Sequence, residues 1–258
     1  MTNLNYDIAG NPDGPALLLV HGFLSSNAQW LPNIEALGQH FKLVLAELWG
    51  HGRSPLPPAD HYAIDAYLGA FEQIRAEQAI AEWGLIGQSY AAGLTLRYSI
   101  SQPAHTTGIV VTNSASAFGD ISAARKARST YRERPEVRPD NRHMPIHPVY
   151  ARRLPEDVKA ALVEAADNTP AEAIDLGGNL APDLRAMHLL AELQVPFLLI
   201  NGRFERGFQD ARHELAQRHP ALAIKDMEGG HAINIEAADD FNAAVIDFFL
   251  SPRKSENQ

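Results

Sequence analysis

Apolar runs of strand length and apolar positions at helical spacing alternate along this chain. Ala16 to Val20 is an uninterrupted apolar run, preceded by the turn-forming Asn11-Pro12-Asp13-Gly14-Pro15 and followed by His21-Gly22-Phe23. It reads as a buried strand feeding a loop. Trp30, Ile34, Leu37 and Phe41 then recur at helical spacing, and Phe41 to Leu48 forms a second strand-like run ending in Trp49-Gly50-His51-Gly52-Arg53-Ser54-Pro55. Tyr67, Leu68, Phe71 and Ile74 mark another helix ahead of a third run, Trp83 to Gly87. Further runs at Gly108 to Thr112, Phe197 to Ile200 and Ala221 to Met227 lead to a closing helix through Ile235, Phe241, Val245 and Phe248. This alternation predicts an α/β fold with a mostly parallel central sheet and helices on both faces.

The regular pattern lapses after Gly108 to Thr112. The text becomes proline-rich around Pro135, Pro139, Pro145, Pro148 and Pro155, then helical again from Glu156 to Ala166. We read residues 117–190 as an inserted, mainly helical cap over a core made of residues 1–116 and 191–250. The polar segment 251–258 reads as a disordered tail.

The third strand carries the most specific chemistry. Residues 83–93 read Trp-Gly-Leu-Ile-Gly-Gln-Ser-Tyr-Ala-Ala-Gly: an apolar run, a Gly-x-Ser-x-small turn at Gly87, Ser89 and Ala91, then a helical pattern. Such a strand–turn–helix forces its central residue into strained backbone geometry and lifts the serine hydroxyl above the sheet. Ser89 is therefore the candidate nucleophile, although Ala91 stands where glycine is usual.

Composition narrows the class. At 258 residues and 45% hydrophobic, the chain can bury a large core. It has no cysteine, which excludes disulfides and thiolate metal sites. Met1 to Gly10 lacks a basic region followed by an apolar core, and no run approaches the roughly 18 apolar residues of a membrane span, so a cytoplasmic protein is expected. The formal charge of −9 is uneven. Residues 120–155 hold nine basic residues (Arg125, Lys126, Arg128, Arg132, Arg134, Arg138, Arg142, Arg152, Arg153) against Asp120, Glu133, Glu136 and Asp140, a balance of +5 that leaves −14 elsewhere. A basic cap could draw an anionic substrate toward the site. The plainer reading is a solvated face of salt-bridged arginines. Nucleic acid is not expected as a partner, because the arginines lie in one insert, the chain as a whole is acidic and no nucleic-acid module pattern is present.

His21-Gly22-Phe23, Gly50-His51-Gly52-Arg53-Ser54, the turn at Ser89 and Gly230-His231 occur in an order in which the chain resembles the α/β-hydrolase superfamily over residues 1–120 and about 180–250. The resemblance implies a catalytic histidine in the final strand–loop–helix unit, which selects His231 among eleven histidines. His21 and His51 are read as loop-shaping, and His143 and His147 fall in the cap. After the strand Phe197 to Ile200 the family usually shows Gly-x-x-Asp; here Gly202-Arg203-Phe204-Glu205 puts glutamate in that place. Glu205 is thus the expected orienting acid, with Asp210 as the runner-up. Some members carry the acid after the strand before the cap, where this chain has Thr112-Asn113-Ser114, and Asn113 could not carry the charge. The oxyanion hole is expected from the backbone N–H groups of Phe23 and Tyr90, whose side chains could also wall the acyl pocket.

The expected activity is that of a serine hydrolase, with neither cofactor nor metal, acting on a small-molecule carboxylic ester, lactone or thioester through Ser89, His231 and Glu205. A lyase resembling the menaquinone-pathway cyclohexadiene carboxylate synthase, and a non-catalytic receptor on the same fold, are the alternatives. Oligomeric state leaves no signature in this text.

Overall fold

A computed structural model describes residues 3–119 and 141–251. Arg125, Lys126, Arg128, Arg132, Arg134 and Arg138, the four acidic residues among them, Pro135, Pro139 and tail residues 252–258 lie outside the described residues. The strands are β1 (Tyr6–Gly10), β2 (Ala16–Val20), β3 (Lys42–Ala46), β4 (Trp83–Gly87), β5 (Thr106–Thr112), β6 (Phe197–Gly202) and β7 (Ala223–Met227). They form one sheet in the order β1-β3-β2-β4-β5-β6-β7. Every neighbouring pair is parallel except β1 and β3. The mostly parallel sheet read from the sequence is present, with one unforeseen antiparallel edge strand.

Strand side chains alternate between the two faces, and both faces are covered. Leu18, Val20, Val44, Leu85, Ile109, Val111 and Leu199 point to one side. There they meet Tyr67, Phe71 and Ile74 of α2 (Ile64–Glu77) and Leu94 and Tyr98 of α3 (Tyr90–Ser101). Leu17, Leu19, Leu43, Leu45, Ile86, Val110 and Ile200 point to the other. They pack on Leu37 of α1 (Leu31–Gly38) and on Phe241, Ala244 and Val245 at the carboxyl end. Each such buried side chain contributes about 1.5–3 kcal/mol of apolar burial.

Among the described residues, two longer helices lie between β5 and β6. After α4 (Ala115–Phe118), the described part of the segment up to β6 holds α5 (Glu156–Asp167) and α6 (Ala171–Leu180) with several short 3₁₀ turns. Val158, Leu162 and Ala166, spaced four apart, form the buried stripe of α5, and Val158 and Leu162 cluster with Ile235. The carbonyls of Asp183 and Arg185 accept from Arg97 Nη2 on α3 at 2.7 and 2.9 Å. Beyond β6, α7 (Gln209–Arg218) adds Ala211 and Leu215 to the first of these two faces. The single closing helix expected from the spacing is two, α8 (Ile233–Glu236) and α9 (Ala238–Leu250). Ala237, at φ −134° and ψ 53°, breaks the run. Among the described residues no helix is long and apolar enough to cross a membrane.

Candidate active site

In a parallel sheet every strand delivers its following loop to the same edge, so the carboxyl ends of β2, β4, β5, β6 and β7 converge on one place. The loops that begin at His21, Gln88, Asn113, Arg203 and Glu228 all emerge there.

Ser89 sits between the end of β4 and the first residue of α3, at φ 51° and ψ −111°. A serine in this left-handed region stores backbone strain, and its neighbours hold it there. Gln88 N–H donates to Val20 O at 3.0 Å, and Ser89 N–H donates to Thr112 Oγ1 at 3.2 Å. Gly87 is required by the turn, because a Cβ at that position would lie 2.2 Å from Thr95 Oγ1. Ala91, the departure noted in the motif, is fully buried. Tyr90 opens α3, so its N–H is among those without an intrahelical partner.

The loop after β2 is built with similar strain. Leu24 has φ 53°, and its N–H donates to His51 Nε2 at 3.2 Å. His51 Nδ1 in turn meets Trp49 O at 3.0 Å. His21 repeats the device: its Nε2 accepts from Leu48 N–H at 3.1 Å while Nδ1 meets Gly22 O at 2.7 Å. A backbone N–H can only donate, so both rings must be neutral with the proton on Nδ1. Burial, with the neighbouring His51 ring adding to it, holds His21 down to about 3, and burial holds His51 down to about 4. The two histidines are therefore struts of the Phe23–Leu24 loop, as read from the sequence. The Phe23 ring stacks on Tyr90 at 5.4 Å between centroids. Gly177 of α6 leaves room for it, since a Cβ there would lie 2.3 Å from Phe23 Cε2. Tyr90 OH donates to Gly177 O at 3.1 Å.

His231 follows β7 and the pair Gly229-Gly230. Its Nδ1 lies 3.0 Å from Glu205 Oε1, and its carbonyl accepts from Gln88 Nε2 at 3.4 Å. Glu205 closes the turn after β6, and its second oxygen, Oε2, accepts from Asn113 Nδ2 at 2.8 Å. Asp210 lies in the first turn of α7, and the carboxylate bonded to His231 is that of Glu205 rather than Asp210. Burial pushes the Glu205 carboxyl up, but its bonds from His231 and Asn113 outweigh this and hold it below the usual carboxylate value. Burial pulls His231 down, but the Glu205 bond and charge and the Glu236 charge outweigh that and raise it above its ordinary 6.5. The imidazole keeps 46% of its side-chain surface accessible, so it exchanges protons with the cavity. If it serves as a base, kcat/KM falls as pH drops through this raised value. A pH–rate profile is expected to show its acid limb half-way above pH 6.5, and a limb at or below about 6 would contradict the pairing.

An amide network that no local pattern announces joins the two loops. Ser25 Oγ donates to Gln29 Oε1 at 3.1 Å, and Gln29 Nε2 donates to Asn234 Oδ1 at 2.8 Å. Asn234 Nδ2 reaches Gln29 O and Asn33 Oδ1 at 2.8 and 3.0 Å. Asn33 Nδ2 donates to Asn234 O and Asn242 Oδ1, each at 2.8 Å. All four amides are buried. A satisfied network of this kind rigidifies what it connects, here the Phe23–Ser25 loop and the segment after His231.

A cavity of about 630 Å³ opens on these groups, within the usual range for small-molecule sites. Ser89, His231, Glu205, Phe23 and Tyr90 all line it. Met144, Ile146, Leu154 and Leu162, from the segment before and within α5, supply much of its apolar wall. His147 also lines it, but its Nδ1 accepts from Val149 N–H at 3.1 Å and its Nε2 lies 3.2 Å from Asp167 Oδ1. Two described arginines of the basic stretch are engaged by carboxylates. Arg142 makes two bonds to Asp167, at 2.9 and 2.6 Å. Arg153 lies 3.6 Å from Glu236 and 4.6 Å over the Phe204 ring. Among the described residues no group of three or more histidine or acidic side chains is arranged to hold a metal ion.

The model of the alpha/beta hydrolase fold matches residues 15–238. Among curated proteins, the chain is similar to RutD of Escherichia coli, provisionally named a carbamate hydrolase, at 26% identity over 101 residues, covering 39% of this chain and 38% of RutD. The aligned stretch thus spans little more than a third of that relative's length. Among solved structures, a carboxylesterase of Nitrososphaera gargenis superposes with a TM-score of 0.79 at 17% identity, covering 95% of this chain and 93% of the other. The enol-lactonase of Burkholderia xenovorans LB400 superposes with a TM-score of 0.72 at 24% identity, covering 95% of each chain. Likenesses at these identities establish a shared fold.

Proposed function

Because this chain belongs to the alpha/beta hydrolase fold family, we propose that it is a serine hydrolase, needing no cofactor, that cleaves a carboxylic ester, lactone or thioester. The reading is carried by one observation: His231 Nδ1 is paired at 3.0 Å with Glu205 on the wall of the cavity that also exposes the strained Ser89. With Nδ1 donating to Glu205, Nε2 is the nitrogen left to act as base. Ser89 Oγ attacks the carbonyl carbon and gives its proton to Nε2. The resulting oxyanion is held by the N–H groups of Phe23 and Tyr90, each such donor being worth about 3 kcal/mol in the transition state. Nε2–H then protonates the departing alkoxide or thiolate. Water attacks the acyl-enzyme, yields its proton to Nε2, and the collapse returns that proton to Ser89 with release of the acid. Glu205 stays ionised throughout and stabilises the imidazolium.

In this reading residues 117–190 form the cap that selects the substrate, over a core of residues 1–116 and 191–250. The apolar side chains from Met144 to Leu162 favour an apolar acyl or alcohol group in the cavity.

The test is exposure to a fluorophosphonate with peptide mass mapping, beside acid release by pH-stat on a panel of esters, lactones, thioesters and carbamates. The reading expects a phosphonyl adduct on Ser89 and release from at least one substrate class. An adduct without release from any member would favour the lyase or the receptor. An adduct on another serine, or none, would remove Ser89 from the chemistry.

A further inference from the structure

We propose that Asn113 is a positioning residue for Glu205, an inference that rests on the reading of Glu205 as the acid that orients His231. Asn113 is the first residue after β5 and is fully buried. Its Oδ1 accepts from Gly202 N–H at 3.0 Å, and its Nδ2 donates to Gly202 O at 3.0 Å and to Glu205 Oε2 at 2.8 Å. One amide thus grips both backbone groups of the last β6 residue and one oxygen of the carboxylate three residues later.

The consequence is directional. Glutamate has one methylene more than the aspartate usual at this turn, and an unanchored Glu205 would sample several rotamers. Fixing Oε2 leaves Oε1 as the oxygen turned to His231 Nδ1. The amide suits this place because it presents an acceptor to Gly202 N–H and donors to Gly202 O and to the carboxylate at once. An aspartate in its place would set a second carboxylate against Glu205, and two carboxylates at that separation do not both ionise.

The pair can be exchanged. In the double variant N113D/E205Q, the new carboxamide oxygen at position 205 would still accept from His231 Nδ1, and its amide nitrogen would donate to the new carboxylate at position 113. That carboxylate would still accept from Gly202 N–H. The negative charge moves one hydrogen bond further from the imidazole. The donor to Gly202 O is replaced by a carboxylate oxygen that must turn away from that carbonyl, and the carbonyl keeps a 3.3 Å contact from Gln209 Nε2.

The experiment measures kcat, KM and thermal unfolding for N113A, E205Q and N113D/E205Q with the best substrate of the panel. The proposal expects N113A to lower kcat about 10- to 100-fold with KM within about threefold, the range that loss of a supporting partner produces. It expects E205Q to lower kcat at least about 10³-fold, and the double variant to recover at least about tenfold over E205Q. Wild-type kcat in a folded N113A, or a folded double variant no better than E205Q, would overturn the role of Asn113 while leaving the triad standing. An E205Q protein with wild-type kcat would overturn both. Should N113A and the double variant fail to fold, the Asn113 side-chain amide resonances of the wild-type protein decide. They shift with the His231 titration if the amide is coupled to the pair, and stay constant if it is not.

Discussion

Replacing Ser89 by alanine is expected to lower kcat/KM by about 10⁴- to 10⁶-fold while leaving the fold intact. In the proposed mechanism the loss is large because the other groups act through the serine: with no Oγ, the base would have no proton to take and no acyl-enzyme could form, so only pocket binding and oxyanion stabilisation would remain. Folding should survive because the turn is held by backbone bonds at Gln88 N–H and Ser89 N–H, both of which alanine keeps. Alanine retains the Cβ and hence the strain at φ 51°, so the unfolding midpoint should change little. Glycine, which tolerates that φ, should by contrast raise it. Acid release within about tenfold of wild type in Ser89→Ala would show that the hydroxyl is not the nucleophile. Matching loss of structure by circular dichroism would mean that the activity loss says nothing about chemistry.

The ease with which the elements can be read follows from how each is buried. β2, β4 and β6 are buried along their whole length, so their sequences are largely unbroken apolar runs, the signature of a strand covered on both sides. β1, Tyr-Asp-Ile-Ala-Gly, is a half-exposed edge strand and has no such run. Its place depends on antiparallel pairing with β3, beyond the intervening β2 and α1, which nothing local encodes. The break at Ala237 is equally silent, because alanine is a strong helix former and the apolar spacing continues across it.

The site divides in the same way. Ser89, Glu205 and His231 each follow a strand and a glycine, and the strand–glycine–polar pattern is local. Their supports are contacts between distant stretches of sequence. Asn113 meets Gly202 and Glu205 across 89 and 92 residues, and Gln29 meets Asn234 across 205. The glycine that makes room for Phe23 lies in the inserted segment, at Gly177. Nothing in the sequence pattern of α6 marks that glycine as different from Gly178, whose added Cβ would meet nothing within 4 Å. In the sequence Asn113 is visible only as a residue unable to carry charge. Its donors, and the carboxylate they face, become apparent once β5 and β6 are paired.

Acidification is expected to unfold this protein near pH 4, through two histidines outside the proposed chemistry. His21 and His51 are neutral and buried, with values held to about 3 and about 4, against 6.5 when exposed. Because the folded values are depressed, the unfolded chain binds more protons between pH 6.5 and about 4. The stability these residues contribute is therefore complete above 6.5 and is lost as pH falls. Each contributes a slope of about 1.4 kcal/mol per pH unit in that window. Together they remove on the order of 6 kcal/mol by about pH 4, comparable to the whole stability of many domains. His231 works in the opposite sense, since its raised value favours the folded state as pH falls through it, but that gain is nearly complete once the unfolded histidine is itself protonated. Carboxylates held low by partners, such as Asp167 beside Arg142, add their own loss from about pH 5 downward. Urea unfolding at about pH 7, 5.5 and 4.5 should thus show stability falling by about 2–3 kcal/mol per unit across the acid half of the range. In proton NMR, the ring resonances of His21 and His51 should stay constant from about pH 8 down to the unfolding transition. If His21 and His51 titrate near 6.5 in the folded protein, the loop after β2 is not held by neutral imidazoles.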